Sequence, residues 1–273
     1  MARYTKIACA ILAVAAALVV GSAPAASAQA RLEREAFTWA GRIPEGRWIN
    51  VRNLRGNVEV TRGAGDKVEV IATRRTRRGD PDYVRFEVRK YGSGDENVLI
   101  CALWGENSDC SEDRYRTRSS DRRARENDVT VDFSIRVPRG VRVSAHTTNG
   151  NVRVEDAAAE VDAESVNGNV TVTTAEGPVN ARTTNGHVRA TMGKFDARSD
   201  MRFATVNGSV IVEFTGEIDA DIELTSLNGR FATDFPVTIT GRIDPRRLRA
   251  TLGKGGPRIR LSTVNGNVEL RKR

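Results

Sequence analysis

Large rings and metal-ligating side chains are scarce in this chain. Phe, Trp and Tyr make up 5% of its 273 residues, and there are three cysteines and two histidines. So few aromatics exclude a thick core built on large rings. His146 and His187 lie far apart in sequence and far from the cysteines, which leaves no ligand set for a zinc site. Helical periodicity is nearly missing, since only "RLEREAF" (31–37) could form as much as two turns. Beyond residue 20 no segment is apolar enough to cross a bilayer.

The one long apolar run is at the start. Arg3 and Lys6 precede Ile7 to Val20, and "GSAPAASAQA" follows. A basic head, a short apolar stretch and small residues form the pattern of a secretory signal peptide, here 1–28, with cleavage after Ala28 or Ala30. The mature chain is then exported, to the periplasm or to the extracellular or cell-surface side, with no transmembrane span after cleavage. Export also disfavours nucleic acid as the partner of a chain with formal charge +8. The expected partner is an unidentified protein or an anionic envelope polymer. Once Cys9 is removed, Cys101 and Cys110 remain, with eight residues between them. In an exported chain they are expected to form a disulfide.

What the chain has in abundance is one repeated phrase. "TTNGNVRV" (147–154) recurs as "SVNGNVTV", "TTNGHVRA", "TVNGSVIV", "SLNGRFAT" and "TVNGNVEL". The Asn-Gly pairs are Asn149-Gly150, Asn167-Gly168, Asn185-Gly186, Asn207-Gly208, Asn228-Gly229 and Asn265-Gly266. Successive spacings are 18, 18, 22, 21 and 37 residues. The last, about twice the others, suggests a copy that has lost its Asn-Gly. Apolar or small residues alternate before each Asn (Val143, Ala145, Thr147), and the parity flips by one after the Gly (Val152, Val154). Strand, corner, strand produces this pattern. The fold class expected is all-β, a β-helix or β-solenoid of roughly 18–22-residue coils with Asn-Gly at the structural corners. The alternative is an antiparallel β-meander or sandwich with Asn-Gly hairpins. Position-by-position likeness favours stacked coils, in which like side chains form ladders.

Three parts follow the expected signal peptide: an N-terminal β-strand part of the solenoid (31–104), a charged, partly disordered insertion (105–128) and a repeat β-helix domain (129–273). The insertion follows Trp104 and carries Arg114, Arg116, Arg118, Arg122, Arg123 and Arg125. It is the candidate contact loop, with a tolerated insertion as the plainer alternative. Asp162, Glu164 and Glu155 could form a carboxylate ladder, but they sit at outward positions where charge is ordinary. His146 also has solvent parity, and His187 stands where other repeats have Asn or Ser. Both are expected to be ordinary surface residues. Neither catalytic nor metal residues nor a cofactor are expected, and few aromatics are available for a sugar platform. The closing "RKR" (271–273) would put charge on a terminal coil and discourage edge pairing.

At "VTVDFSIRVPRGVRVSAHTTNGNVRV" (129–154) the chain resembles the putative-adhesin family of exported bacterial β-strand-repeat envelope proteins. The matching features are the turn at Val137, Pro138 and Gly140, the first Asn149-Gly150, the later Asn-Gly copies and "VRNLRGNVEV" (51–60). The resemblance implies a β-helix-like fold, an envelope or surface location and no catalytic residues. It does not account for the Cys101–Cys110 insertion. The function expected is an exported, non-enzymatic, adhesin-like scaffold displaying a repetitive β surface. The alternatives are a carbohydrate-active β-helix enzyme and an envelope-stress sensor or modulator.

Overall fold

Each repeat is a β-strand, a corner and a second β-strand whose inward parity has shifted. Val143, Ala145 and Thr147 are buried before the corner, and Val152 and Val154 after it. A computed structural model of the chain describes residues 33–77, 79–117, 127–193, 199–239 and 244–273. The expected signal-peptide segment with Ala28 and Ala30, and Arg118, Arg122, Arg123 and Arg125, lie outside the described residues.

Successive coils pair in parallel and in register, so like stacks on like. Val143 lies beside Val161 and Val161 beside Val179, while Val152, Val170, Val188, Val210 and Val268 form one continuous row. These parallel ladders exclude the hairpin meander and make the fold a β-solenoid of two long sheets, one of ten strands and one of eleven. Valine and alanine rows from both sheets close a narrow core, with nearly every member fully buried. Burying each valine contributes roughly 1.5–3 kcal/mol against the entropy of ordering the chain. Aromatic rings gather towards the two ends: Phe37, Phe86 and Phe133 at one, Phe214 and Phe235 at the other.

The order of coils in space departs from the order in sequence. Along the stack run Asn97–Trp104 with Thr130–Val137, Trp48–Arg55 with Val58–Arg62, and Arg142–Asn149 with Val152–Ala158. Next come Val161–Asn167 with Val170–Glu176, Val179–Arg182 with Val188–Met192, and Met201–Ala204 with Val210–Phe214. The last two coils are Arg258–Asn265 with Val268–Lys272, then Ala220–Asn228 with Phe231–Thr233. At one end Asn97–Trp104 and Thr130–Val137 fill slots between the coil and the antiparallel strands made before them; at the other, Arg258–Asn265 with Val268–Lys272 fills the slot left inside the outer coil. The ends are closed by antiparallel strands: Glu33–Gly41, Val68–Arg75 and Val84–Tyr91 at one, Arg247–Leu252 and Thr238–Ile239 at the other.

Three expectations change. The 37-residue spacing is not a lost copy: Asn228 and Asn265 are direct neighbours in the stack, and the extra residues hold the closing antiparallel strands. The final strand is not terminal in space, because Val268–Lys272 pairs with Val210–Phe214 on one side and Phe231–Thr233 on the other. "RKR" therefore does not guard an edge; at this end the edge strands are Phe231–Thr233 in one sheet and Thr238–Ile239 in the other. Within "RLEREAF", residues from Glu33 onward are strand, because pairing with Val68–Arg75 outweighs a weak local helix preference.

The corner chemistry explains the repeated phrase. In the spatial order 149, 167, 185, 207, 265, 228, each Asn amide after the first donates to the side-chain oxygen of the Asn before it, at 2.8–2.9 Å, and the Asn149 amide donates to the Leu54 carbonyl. Each preceding hydroxyl (Thr147, Ser165, Thr183, Thr205, Thr263, Ser226) donates to the Gly carbonyl of the neighbouring corner at 2.8–3.0 Å. At Gly186 φ is +153°, and a Cβ would sit 2.2 Å from the Gly168 carbonyl oxygen. Only glycine permits coils to approach this closely. His187 takes the place of a second, capping Asn row: its Nδ1 accepts from the Ser209 N–H at 3.0 Å.

Candidate functional site

With the repeated residues engaged in corners and core, the chemistry-bearing side chains lie on the outer face of the eleven-stranded sheet. Near its N-terminal end, Leu99, Cys101 and Leu103 face outward yet are buried, because the segment 105–117 folds back over them. Cys101 and Cys110 are joined by a disulfide. Asp109–Cys110 pairs with Tyr115–Arg116, Arg89 donates to the Cys110 carbonyl at 2.9 Å, and the Tyr115 hydroxyl donates to the Ala102 carbonyl at 2.8 Å. Trp104 does not belong to a contact surface: it is buried in the main core, with Nε1 donating to the Val129 carbonyl. Arg114 and Arg116 are exposed.

The folded-back segment carries Glu112 and Asp113 to the rim of a cavity of about 350 Å³. Strands Trp48–Arg55, Arg142–Asn149, Val161–Asn167 and Val179–Arg182 supply its floor. His146 sits at outward parity, as its sequence position indicates, yet it is buried. Its Nε2 lies 2.9 Å from Ser144 Oγ and 3.3 Å from Asp162 Oδ2, and its Nδ1 lies 3.2 Å from Glu164 Oε2. Arg182 reaches both carboxylates, at 3.7 and 3.1 Å. His146 is thus no ordinary surface residue. Strand alternation predicts which face a side chain takes, but not which side chains the neighbouring coil sets against it there.

The electrostatics of the group are mutually reinforcing. Burial disfavours the His146 imidazolium, but hydrogen bonds to Asp162 and Glu164 outweigh it and raise the histidine above its ordinary pKa. For Asp162, burial pushes upward, while the bond to His146 and the charges of His146, Arg182 and Arg52 hold the carboxyl below its ordinary value. The bond from His146 is the largest influence lowering Glu164. Desolvation leads in lowering Arg52. Glu155 is elsewhere, on the other sheet beside Arg153. Among the described residues no group of three or more His, Cys, Asp or Glu is placed to hold a metal ion.

Further along the same face the side chains are basic. Arg202 and Arg260 are direct register partners, Arg260 adjoins Glu223, and Glu223 adjoins Arg249. Arg182, Arg258 and Arg247 flank this line on the same face. Glu223 is surrounded by Arg247, Arg249 and Arg260. Burial would raise its carboxyl, but the hydrogen bond from Arg247 and the three cationic charges hold it low. From Arg182 to Arg249 the line spans four strand steps, roughly 19 Å at about 4.8 Å per step. A cavity of about 370 Å³ opens among Glu223, Arg247, Arg249, Arg258 and Arg260.

The chain belongs to the Toastrack DUF4097 family, whose model matches residues 42–271. Among solved structures it is similar to a putative cell adhesion protein from Clostridium sporogenes, at 9% identity and a TM-score of 0.44, covering 88% of this chain and 100% of that one. It is also similar to a putative adhesin from Bacteroides fragilis, at 12% identity and a TM-score of 0.37, covering 88% and 98% respectively. No curated protein matches the chain. Among the described residues no helix is long and apolar enough to cross a membrane.

Proposed function

We propose that this protein is an exported, non-enzymatic scaffold of the cell envelope, adhesin-like in that its solenoid presents one rigid face to an anionic envelope polymer. The observation that carries this reading is the arginine line on the eleven-stranded sheet. Arg202, Arg260, Arg258, Arg249 and Arg247 share one face of consecutive strands and outnumber the acids set among them, Asp221 and Glu223, while Arg182 beside them is paired with Asp162 and Glu164. Like charges held a strand spacing apart repel, and a polymer bearing carboxylate or phosphate groups relieves that repulsion. Guanidinium forks suit such groups because they donate two parallel hydrogen bonds. Both ring nitrogens of His146 are engaged by neighbouring side chains, which supports a structural rather than a proton-shuttling role for that cluster. The N-terminal signal pattern supports export.

The reading is tested by retention of the purified protein on immobilised polygalacturonate and polyphosphate across a salt gradient. Replacing Arg202, Arg258 and Arg260 together by Gln should abolish retention at moderate salt, whereas Arg153→Gln on the opposite sheet should not. Equal retention of the triple variant would remove the basis for the proposal.

A further inference from the structure

The two long sheets have four edges, and among the described residues three of them are blunted. Phe231–Thr233 and Thr238–Ile239 are three and two residues long. Glu33–Gly41 carries a register shift between Arg34 and Phe37. Short and bulged strands are poor templates for another chain. The fourth edge, Val84–Tyr91, has eight residues and pairs with Asn97–Trp104 without a break. Among the described residues no strand lies on its other side.

The phase of this strand's hydrogen bonds shows what it offers. Antiparallel partners bond each other at every second residue. The Gly105 N–H donates to the Tyr83 carbonyl at 2.9 Å, so Arg85, Glu87 and Arg89 direct their backbone groups at Asn97–Trp104. Those of Val84, Phe86, Val88 and Lys90 point the other way, to the open edge. The covering segment 105–117 leans away from that edge: Asn50 and Arg52, beyond Asn97–Trp104, hold its Glu112 carbonyl. Core-facing side chains are also uncovered at this end, with Val88 39% exposed and the stacked rings of Phe37 and Phe86 half-buried.

We infer that the protein pairs end to end with a second copy of itself, Val84–Tyr91 joining its mate antiparallel across a two-fold axis at Val88. In that register the outward groups of Val88 bond those of its mate, and those of Phe86 bond those of Lys90. Glu87 then stands opposite Arg89 of the second copy and Arg85 opposite Tyr91, so no like charges meet. Within one copy Arg89 already bonds Glu87 at 2.8 Å, and the mate brings the same pair inverted, so the charges alternate around the axis. An axis at Glu87 would set Glu87 against itself and Arg85 against Arg89. An axis at Phe86 would run the pairing into the turn Pro81–Tyr83. The second copy also continues the core over Phe86 and Val88. Because the axis is normal to the sheet, the two eleven-stranded sheets join with their outer faces on one side. The pairing goes beyond the proposed function and does not depend on it, although it would present two arginine lines to one polymer.

The test is sedimentation equilibrium of the purified protein at moderate salt, where the mass should rise from one copy to two between about 1 and about 100 μM. Val88→Pro should stay at one copy throughout. It removes an N–H that only the second copy uses, at a position where an edge strand accepts proline. Glu87→Arg should weaken pairing by about ten-fold or more, because it sets Arg against Arg89 of the second copy. Glu87→Arg combined with Arg89→Glu should recover most of that loss. Far-ultraviolet circular dichroism verifies the fold of each variant, and Glu87→Arg, which removes no backbone bond, decides the outcome if Val88→Pro unfolds. A single copy up to about 100 μM, or pairing unchanged in the folded variants, would overturn the inference. A double variant as weak as Glu87→Arg would overturn the register.

Discussion

Replacing Gly186 by alanine should destabilise the solenoid by about 3–5 kcal/mol. The new Cβ would stand 2.2 Å from the Gly168 carbonyl oxygen, a backbone atom of the adjoining coil with no freedom to rotate away. The corners would have to part by about 1 Å, a displacement a close-packed stack resists. At φ +153° an L side chain also adds strain of about 1–3 kcal/mol. Parting the corner weakens the Asn185 to Asn167 bond, the Thr183 to Gly168 bond and the Gly168 N–H to Asn185 carbonyl bond, each contributing about 1 kcal/mol. Gly65→Ala is the control, since nothing lies within 4 Å of its added Cβ and its φ is not in the left-handed region. The assay is urea denaturation followed by far-ultraviolet circular dichroism, comparing midpoints at equal slope. A loss below about 1 kcal/mol for Gly186→Ala, or an equal loss for Gly65→Ala, would refute the account of the corner.

Two further outcomes follow from the packing. His146→Asn should cost about 1–3 kcal/mol near pH 5.5 and distinctly less near pH 9. The histidine's folded pKa is raised above its ordinary 6.5, so its contribution is complete below that value and fades as pH rises through the folded one. Asp162 and Glu164 are lowered from 3.8 and 4.5, so theirs is complete above those values and fades as pH falls through the folded ones. A penalty independent of pH, measured by denaturation at both values, would mean that His146 is not the charged partner of these acids. Leu270→Ala, fully buried near the C-terminus, should cost about 2–4 kcal/mol by denaturant titration, because its strand is interior to the stack. A loss below about 1 kcal/mol would indicate a fraying end instead.

The architecture was legible because a solenoid writes its geometry into the chain once per coil. The parity flip across each Asn-Gly, the small hydroxyl residue two before it and the valine three beyond it are local consequences of one corner shape, so one sequence period reports them all. The candidate site was not legible for the converse reason. Asn50 and Arg52 come from the first coil in sequence, His146 and Ser144 from a strand over 90 residues later, and Glu112 from the segment between them. Only the stacking order puts them together. Folding likewise places Trp48 and Tyr91, 43 residues apart in sequence, at one cavity.

By itself, then, the sequence determined the local conformations: strands by period-two alternation, corners by glycine, and in-register stacking by the likeness of repeats. Tertiary structure decided the coil order, because a parallel stack accepts any coil with matching rows and the antiparallel excursions select which one fills each slot. It also decided the burial of His146, because stacking sets Asp162 and Glu164 of the adjoining coil against its ring. And it buried Leu99, Cys101 and Leu103 at outward positions, because the disulfide between Cys101 and Cys110 holds the following segment over them.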